Sequence, residues 1–401
     1  MVETEEKKVV NITQKKRILW LDGMKGFACL VLFFSHFFMT VYPRIHFGYE
    51  VPAHSSWFDD FMYLLPFKGW VFVGLFCITS GMMLSMQVMR SAASADKLKN
   101  TGSLMVKRYL RLVVPMIPVA IVVWIFLKAG LFYNLDVAKI TESEWLTKHY
   151  KAPMSITGVV SSVLVKTWFY GDDSLSTAFW MMYQMFYGSI MSIILGMVYW
   201  VAKRKSAIIY LFTFLVMLPR HDYIAGFALG ALLAQFYMEG TIDRIKDSIT
   251  AKSKALPSVL GILMVIAGCV MGSYPGDTEV IGFYKYMETD YFELYYSFGA
   301  FLLIVGVWLS GILQKFFEQK VMVFLGKISY ELFLVHIPIL FSVGMWMWLV
   351  MYNVGVEYNL ASFIMFVVTT AIVIFVSWLY SKYVSKWCGV VIDKVSGWLL
   401  G

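Results

Sequence analysis

Ten stretches of this chain contain no Asp, Glu, Lys or Arg and are long or apolar enough to be membrane spans. They are Gly26–Pro43, Gly69–Met89, Leu112–Leu127, Ala178–Ala202, Ser206–Pro219, Tyr223–Met238, Ala255–Gly276, Leu294–Gln314, Leu332–Val356 and Tyr358–Ser381. A helix that crosses a bilayer needs about 20 residues, within a range of about 17–25, and most of these stretches qualify. The chain is therefore expected to fold as an all-α, polytopic integral membrane bundle of about ten transmembrane helices. Ser206–Pro219 and Tyr223–Met238 are short and separated only by "RHD", which reads as a tight helical hairpin.

Charge supports the same class. Only 15% of the residues are charged and 59% are hydrophobic, against roughly 25% charged in a soluble domain. The formal charge of +8 does not point to nucleic acid, because the basic residues are scattered through short loops and form no continuous basic face. With the N-terminus in the cytoplasm, the inner segments hold 24 Lys and Arg and the outer loops nine. By the positive-inside rule both termini are expected to be cytoplasmic, in a multi-pass protein of the plasma (inner) membrane. The expected layout is a cytoplasmic tail over residues 1–20, a membrane domain over 21–382 with a long external loop at 134–177, and a cytoplasmic amphipathic tail over 383–401.

The first 20 residues are charged and show no small-residue cleavage site after an apolar core, so the first span is expected to stay as an anchor. The four cysteines form no CxxC or His/Cys cluster, and packed thiols are expected, with neither disulfides nor a metal site. In the long loop, "ITGVVSSVLVKTWF" has apolar residues spaced for a helix lying on or dipping into the membrane surface. That loop reads as a lid or acceptor platform, or as a passive connector.

The first span carries the most informative chemistry. It begins with Asp22 and Lys25 and contains His36. At 1.5 Å per residue, His36 lies about 21 Å along the helix from Asp22, well inside the bilayer. An ionisable residue at that depth is by default a functional hypothesis; the alternative is a histidine donating to a carbonyl within the bundle. Neutral imidazole suits general-base work near neutral pH. Ser35 points off about 100° from His36 on a helix, which disfavours a Ser–His nucleophile pair. Arg108 and Arg111, three residues apart, share one face of a helix at the inner mouth of the third span, and guanidinium forks suit phosphate.

Five segments also resemble a known family. "DGMKGFACLVLFFSH" is similar to the first-span signature of the membrane-bound acyltransferase-3 family, and "GWVFVGLFCITSGMMLS" to its second, with Ser80 and Gly81 at the match. "KRYLRLVVPMIP", "HDYIAGFALGALLA" and "LGKISYELFLVHIPIL" resemble three further motifs in the same order. Two positions depart from the pattern: Lys25 stands where Arg is usual, and Gln184 where a carboxylate is common.

The resemblance implies an O-acyltransferase that moves an acyl group, usually acetyl, from cytoplasmic acetyl-CoA to a hydroxyl of a cell-envelope glycan or its lipid-linked precursor. It makes His36 the catalytic base. Arg108 and Arg111 become donor-binding residues, assisted by Lys25, Lys107 and Tyr109. Asp22, Ser80, Trp180, Gln184, Ser329, Tyr330 and His336 become a supporting polar cavity, with His336 either in that cavity or structural. Arg220, His221 and Asp222, at the outer turn of the hairpin, are acceptor-side candidates or an ordinary charged turn. The expected partners are acyl-CoA, a glycan and membrane lipids. The main competing class is a secondary transporter or flippase, but the chain shows no inverted repeat and no matched Gly/Pro-broken helices.

Overall fold

The structure, a computed structural model, describes residues 17–48, 56, 68–276, 280 and 282–400. Most of the expected N-terminal tail lies outside them. The chain opens with α1 (Leu19–Val41), α2 (Trp70–Arg90), α3 (Lys97–Val113), α4 (Met116–Ala129) and α5 (Asn134–Thr141). It continues with α6 (Trp180–Ala202), α7 (Ser206–Met217), α8 (Ala225–Met238), α9 (Thr241–Lys252), α10 (Leu256–Gly272) and α11 (Glu293–Leu309). The last third is α12 (Gly311–Phe317), α13 (Lys320–Lys327), α14 (Ser329–Ile339), α15 (Met345–Asn353), α16 (Tyr358–Leu379) and α17 (Ser385–Leu400). The described residues contain no strand.

Each of the ten apolar stretches falls on helix, but length and apolarity qualify six helices to cross a membrane, or seven if the bent pair α11–α12 is one span. The difference has identifiable causes. The third stretch is the second half of a longer run, Lys97–Ala129, in which α3 and α4 meet at Pro115, a residue that cannot donate to the helix ladder. α6 and α7 fall within one helical run, Thr177–Arg220, broken where Lys203 takes a positive φ of 49°. α8 and α10 are apolar but short. α11 and α12 meet at a 102° bend, where the Ser310 side chain caps the new helix by accepting from the Leu313 amide.

α1 is the central element. Leu21, Met24, Ala28 and Leu32 belong to one apolar core, shared with α2, α8 and α11. Cys29, Phe33 and Phe37, on another face, belong to a second core shared with α14, α15 and α16. A helix buried on two sides is apolar nearly all round, which is why its sequence reads as one unbroken hydrophobic run.

Its placement depends on glycine. A Cβ on Gly26 would stand 2.3 Å from the Gly326 amide nitrogen, and one on Gly326 would stand 2.0 Å from the Asp22 carbonyl oxygen. The α1 and α13 backbones therefore touch directly, as small-residue contacts between membrane helices allow. The turn into α14 follows at once, so this crossing fixes how α14 faces α1.

The 134–177 segment is not detached from the bundle. Asn134 donates to the carbonyls of Leu146 (2.9 Å) and His149 (2.7 Å), closing the turn that follows α5. Ser143 donates to the Met39 carbonyl on α1 at 2.6 Å. The stretch Ile156–Phe169 forms an apolar helix, and Trp124 on α4 donates to the Met154 carbonyl just before it. The final helix, α17, packs against α3, and Ser385 donates to the buried Glu331 carboxylate at 2.7 Å.

Candidate active site

His36 lines a cavity of about 90 Å³ where the two cores of α1 meet. One ordered water needs about 10–15 Å³ of such space, so the cavity accommodates a few waters or a small group such as acetyl. Leu32, His36 and Met39 come from α1, Trp70 and Val73 from α2, and Phe333 and His336 from α14. The 134–177 segment adds Trp145, whose ring lies 5.7 Å from that of His36.

The hydrogen bonds define the histidine tautomers. His36 Nδ1 is 2.7 Å from the Leu32 carbonyl, one turn back in its own helix. A carbonyl only accepts, so Nδ1 carries the proton and Nε2 presents its lone pair. His336 repeats the arrangement: its Nδ1 lies 3.0 Å from the Leu332 carbonyl and 2.9 Å from that of Phe333. Its Nε2 is buried without a hydrogen-bond partner. The two rings stand 5.1 Å apart. Ser35 turns away, donating to the Lys68 carbonyl at 3.0 Å, as the 100° step between neighbours requires.

Besides Trp145, two charged or titratable residues of this cavity were not anticipated from the sequence. Lys68 is buried, and His46, in the short helix after α1, lies with its ring 5.6 Å from Trp70. Burial, reinforced by Lys68, pushes the His46 imidazole down to about 3, so it is neutral at working pH. His46 lies one turn past the end of α1, and Lys68 two residues before α2. Their only sequence signal was polarity close to the end of an apolar span.

A second cavity, of about 370 Å³, backs onto the first. Met181 and Phe333 line both. Lys25, Arg108 and Arg111 supply its positive charge, and Ser80, Ser329 and Tyr330 also face it. Arg108 is held in place: Nε donates to Ser189 and a terminal nitrogen to Ser80, both at 2.9 Å. Arg111 is exposed and lines this cavity and the adjoining one that contains Lys107. Lys25 pairs with Asp22 at 2.7 Å, and Asp22 also pairs with Arg17. Tyr330 donates to the Leu112 carbonyl at 2.6 Å, tying α14 to α3.

Other expected site residues lie apart. Tyr109 points away from the basic cavity and donates to the Leu164 carbonyl at 2.8 Å; as the neighbour of Arg108 it leaves the helix about 100° away. Gln184 is buried, with Oε1 unpartnered, and lines neither cavity. Trp180 does line the histidine cavity. Arg220 pairs with Asp222 at 2.9 Å and reaches Tyr183 at 3.3 Å, while His221 stacks on Tyr291 at 5.3 Å. These three form a turn beyond the histidine cavity. No group of three or more His, Cys, Asp or Glu able to hold a metal stands together among the described residues.

This arrangement joins a basic cavity of about 370 Å³ to a narrow cavity with lone-pair nitrogens across one wall. No curated protein and no solved structure matches the chain. A family profile described as an acyltransferase domain matches residues 18–382. That range contains both cavities and nearly all of the helical bundle, and the chain belongs to the membrane-bound acyltransferase-3 family.

Proposed function

We propose that the protein moves an acetyl group from cytoplasmic acetyl-CoA to a hydroxyl of a cell-envelope glycan or its lipid-linked precursor, with His36 as the base. The observation that carries this reading is the shared wall. The basic cavity and the histidine cavity meet at Met181 and Phe333, so a donor anchored by its phosphates on one side needs to pass only its acyl end to the other.

Arg111, Arg108, Lys25 and Lys107 would hold the phosphates; Arg is suited to bidentate contacts that Lys cannot make. The pantetheine arm would lie along the apolar side chains of Met182, Met185 and Phe333, delivering the thioester carbonyl toward His36. The acceptor hydroxyl, hydrogen-bonded to His36 Nε2, loses its proton to that nitrogen as its oxygen attacks the carbonyl carbon. The tetrahedral intermediate collapses with cleavage of the C–S bond. The proton on Nε2 leaves with the thiolate as CoA thiol, and the imidazole returns to its neutral form. General-base assistance of this kind is worth about 10²–10⁴-fold.

In this reading the ten apolar helices cross or partly cross the plasma (inner) membrane with both termini cytoplasmic, and α7 and α8 form a hairpin of short arms. Family membership and the two meeting cavities favour transfer over transport. The test is mass spectrometry of envelope glycans from cells with and without the gene. Acetyl mass increments that disappear without the gene and return with it are expected; identical glycans in both would refute the reading.

A further inference from the structure

Beyond the histidine cavity lies a further chamber, of about 230 Å³, lined by Trp70, Trp180, Tyr223, Phe292, Glu293 and Tyr296. Trp70 and Trp180 also line the histidine cavity, so the two spaces share a side. Four of the rings close a circuit. Trp70 lies 6.2 Å from Trp180, Trp180 6.0 Å from Tyr223, Tyr223 6.3 Å from Tyr296, and Tyr296 6.4 Å from Trp70.

Glu293 is the one carboxylate of this chamber and is only 6% exposed. Its Oε2 has no hydrogen-bond partner, although His221 Nδ1 stands 3.5 Å away. Glu293 lines the chamber together with the rings, so its carboxylate is the charged acceptor there to which a ligand hydroxyl can donate.

We infer that this chamber is the acceptor subsite and holds one pyranose ring of the glycan. This rests on the acyl-transfer reading above and adds to it where the sugar sits. The chemistry matches. A sugar ring has C–H faces that pack against aromatic walls and hydroxyls that donate to a carboxylate. The volume also fits, being below the roughly 300–1,000 Å³ of a site for a drug-sized ligand. Glu293 accepts hydroxyl hydrogens from the ring, His221 stands behind the carboxylate, and Trp70 and Trp180 direct the next hydroxyl toward His36.

The test uses full-length protein in lipid nanodiscs, supplied with acetyl-CoA and increasing amounts of envelope glycan extracted from cells lacking the gene. Released CoA is followed with a thiol reagent. Glu293→Gln is expected to raise the half-saturating glycan concentration on the order of 10- to 100-fold, the size of losing a hydrogen bond to a charged group, and Tyr223→Ala, which removes one aromatic wall, to raise it as well. The half-saturating acetyl-CoA concentration should stay at the wild-type value, and Tyr223→Phe should restore glycan affinity. Unchanged glycan saturation in both variants would overturn the subsite. So would parallel loss of donor and glycan saturation, which would assign Glu293 and Tyr223 to packing. Absence of glycan-dependent CoA release from the wild type would instead refute glycan acylation itself.

Discussion

The imidazoles of His36 and His336 face each other at 5.1 Å, ring centre to ring centre, each with Nδ1 bound to a carbonyl of its own helix. Both therefore offer Nε2 as an acceptor, and neither can donate to the other. A group bearing a hydrogen belongs between them, and an acceptor hydroxyl is such a group. In the proposed mechanism the pair would work as one proton-accepting clamp in which only one ring need act as base.

His36→Ala is expected to lower acetyl transfer by about 10²–10⁴-fold and to leave acetyl-CoA affinity near wild type. His336→Ala should cost less, about tenfold, on the order of one lost hydrogen bond. CoA-release kinetics on the purified variants distinguish the two. The reverse ranking would make His336 the base, and near-normal turnover in His36→Ala would leave that residue a structural role.

The two arginines should separate. Arg111 is exposed at the basic cavity, so Arg111→Ala is expected to weaken a non-hydrolysable acetyl-CoA analogue by about 10–100-fold without a change in thermal stability. Arg108 joins Ser80 on α2 to Ser189 on α6. Arg108→Ala should therefore lower both affinity and melting temperature. Calorimetry of analogue binding and a thermal melt of each variant measure this, and equal behaviour of the two would contradict it.

The α1–α13 contact predicts a stability cost. Gly26→Ala places a methyl group 2.3 Å from backbone, and overpacking of this kind costs about 1–3 kcal/mol. Gly102, with open space around it on α3, is the control: Gly102→Ala should be neutral or stabilise by up to about 1 kcal/mol. Melting of the two variants in nanodiscs checks the difference. A Gly26→Ala variant as stable as the wild type would mean the helices separate freely.

Orientation can be read by cysteine labelling, and the structure guides the choice of position. Ser143 in the long loop is buried and bonded to α1, which makes it a poor probe. Lys148 is exposed in the same segment, and Lys252 is exposed at the end of α9. Lys148→Cys should react with an impermeant thiol reagent in intact cells, and Lys252→Cys only after permeabilisation. The opposite pattern would invert the proposed topology.

The sequence revealed the helical class and the position of His36 far along the first apolar helix, because both follow from unbroken apolar runs. It kept Lys25, Arg108 and Arg111 apart from Ser80, Ser329 and Tyr330, which the structure gathers with them around one cavity. What it left out came from loops and from crossings. Lys68, Trp145 and His46 reach the histidine cavity from segments with no period to read, and Glu293 stands at the first turn of a helix whose apolar run begins one residue later. Span counting met a similar limit: absence of charge marks where a helix can be buried, whereas the kink at Ser310 and the turn at Lys203 decide whether it continues.

Trp145 bears on what the enzyme must avoid. Its ring covers His36 and is itself backed edge-on by Phe341 at 5.3 Å. A base beside a thioester activates water as readily as it activates a sugar, and excluding water prevents that side reaction. In the proposed acetyl transfer, the indole would set the partition between transfer and wasteful thioester hydrolysis. On that proposal, its removal would let the donor be hydrolysed, releasing CoA with nothing added to the acceptor.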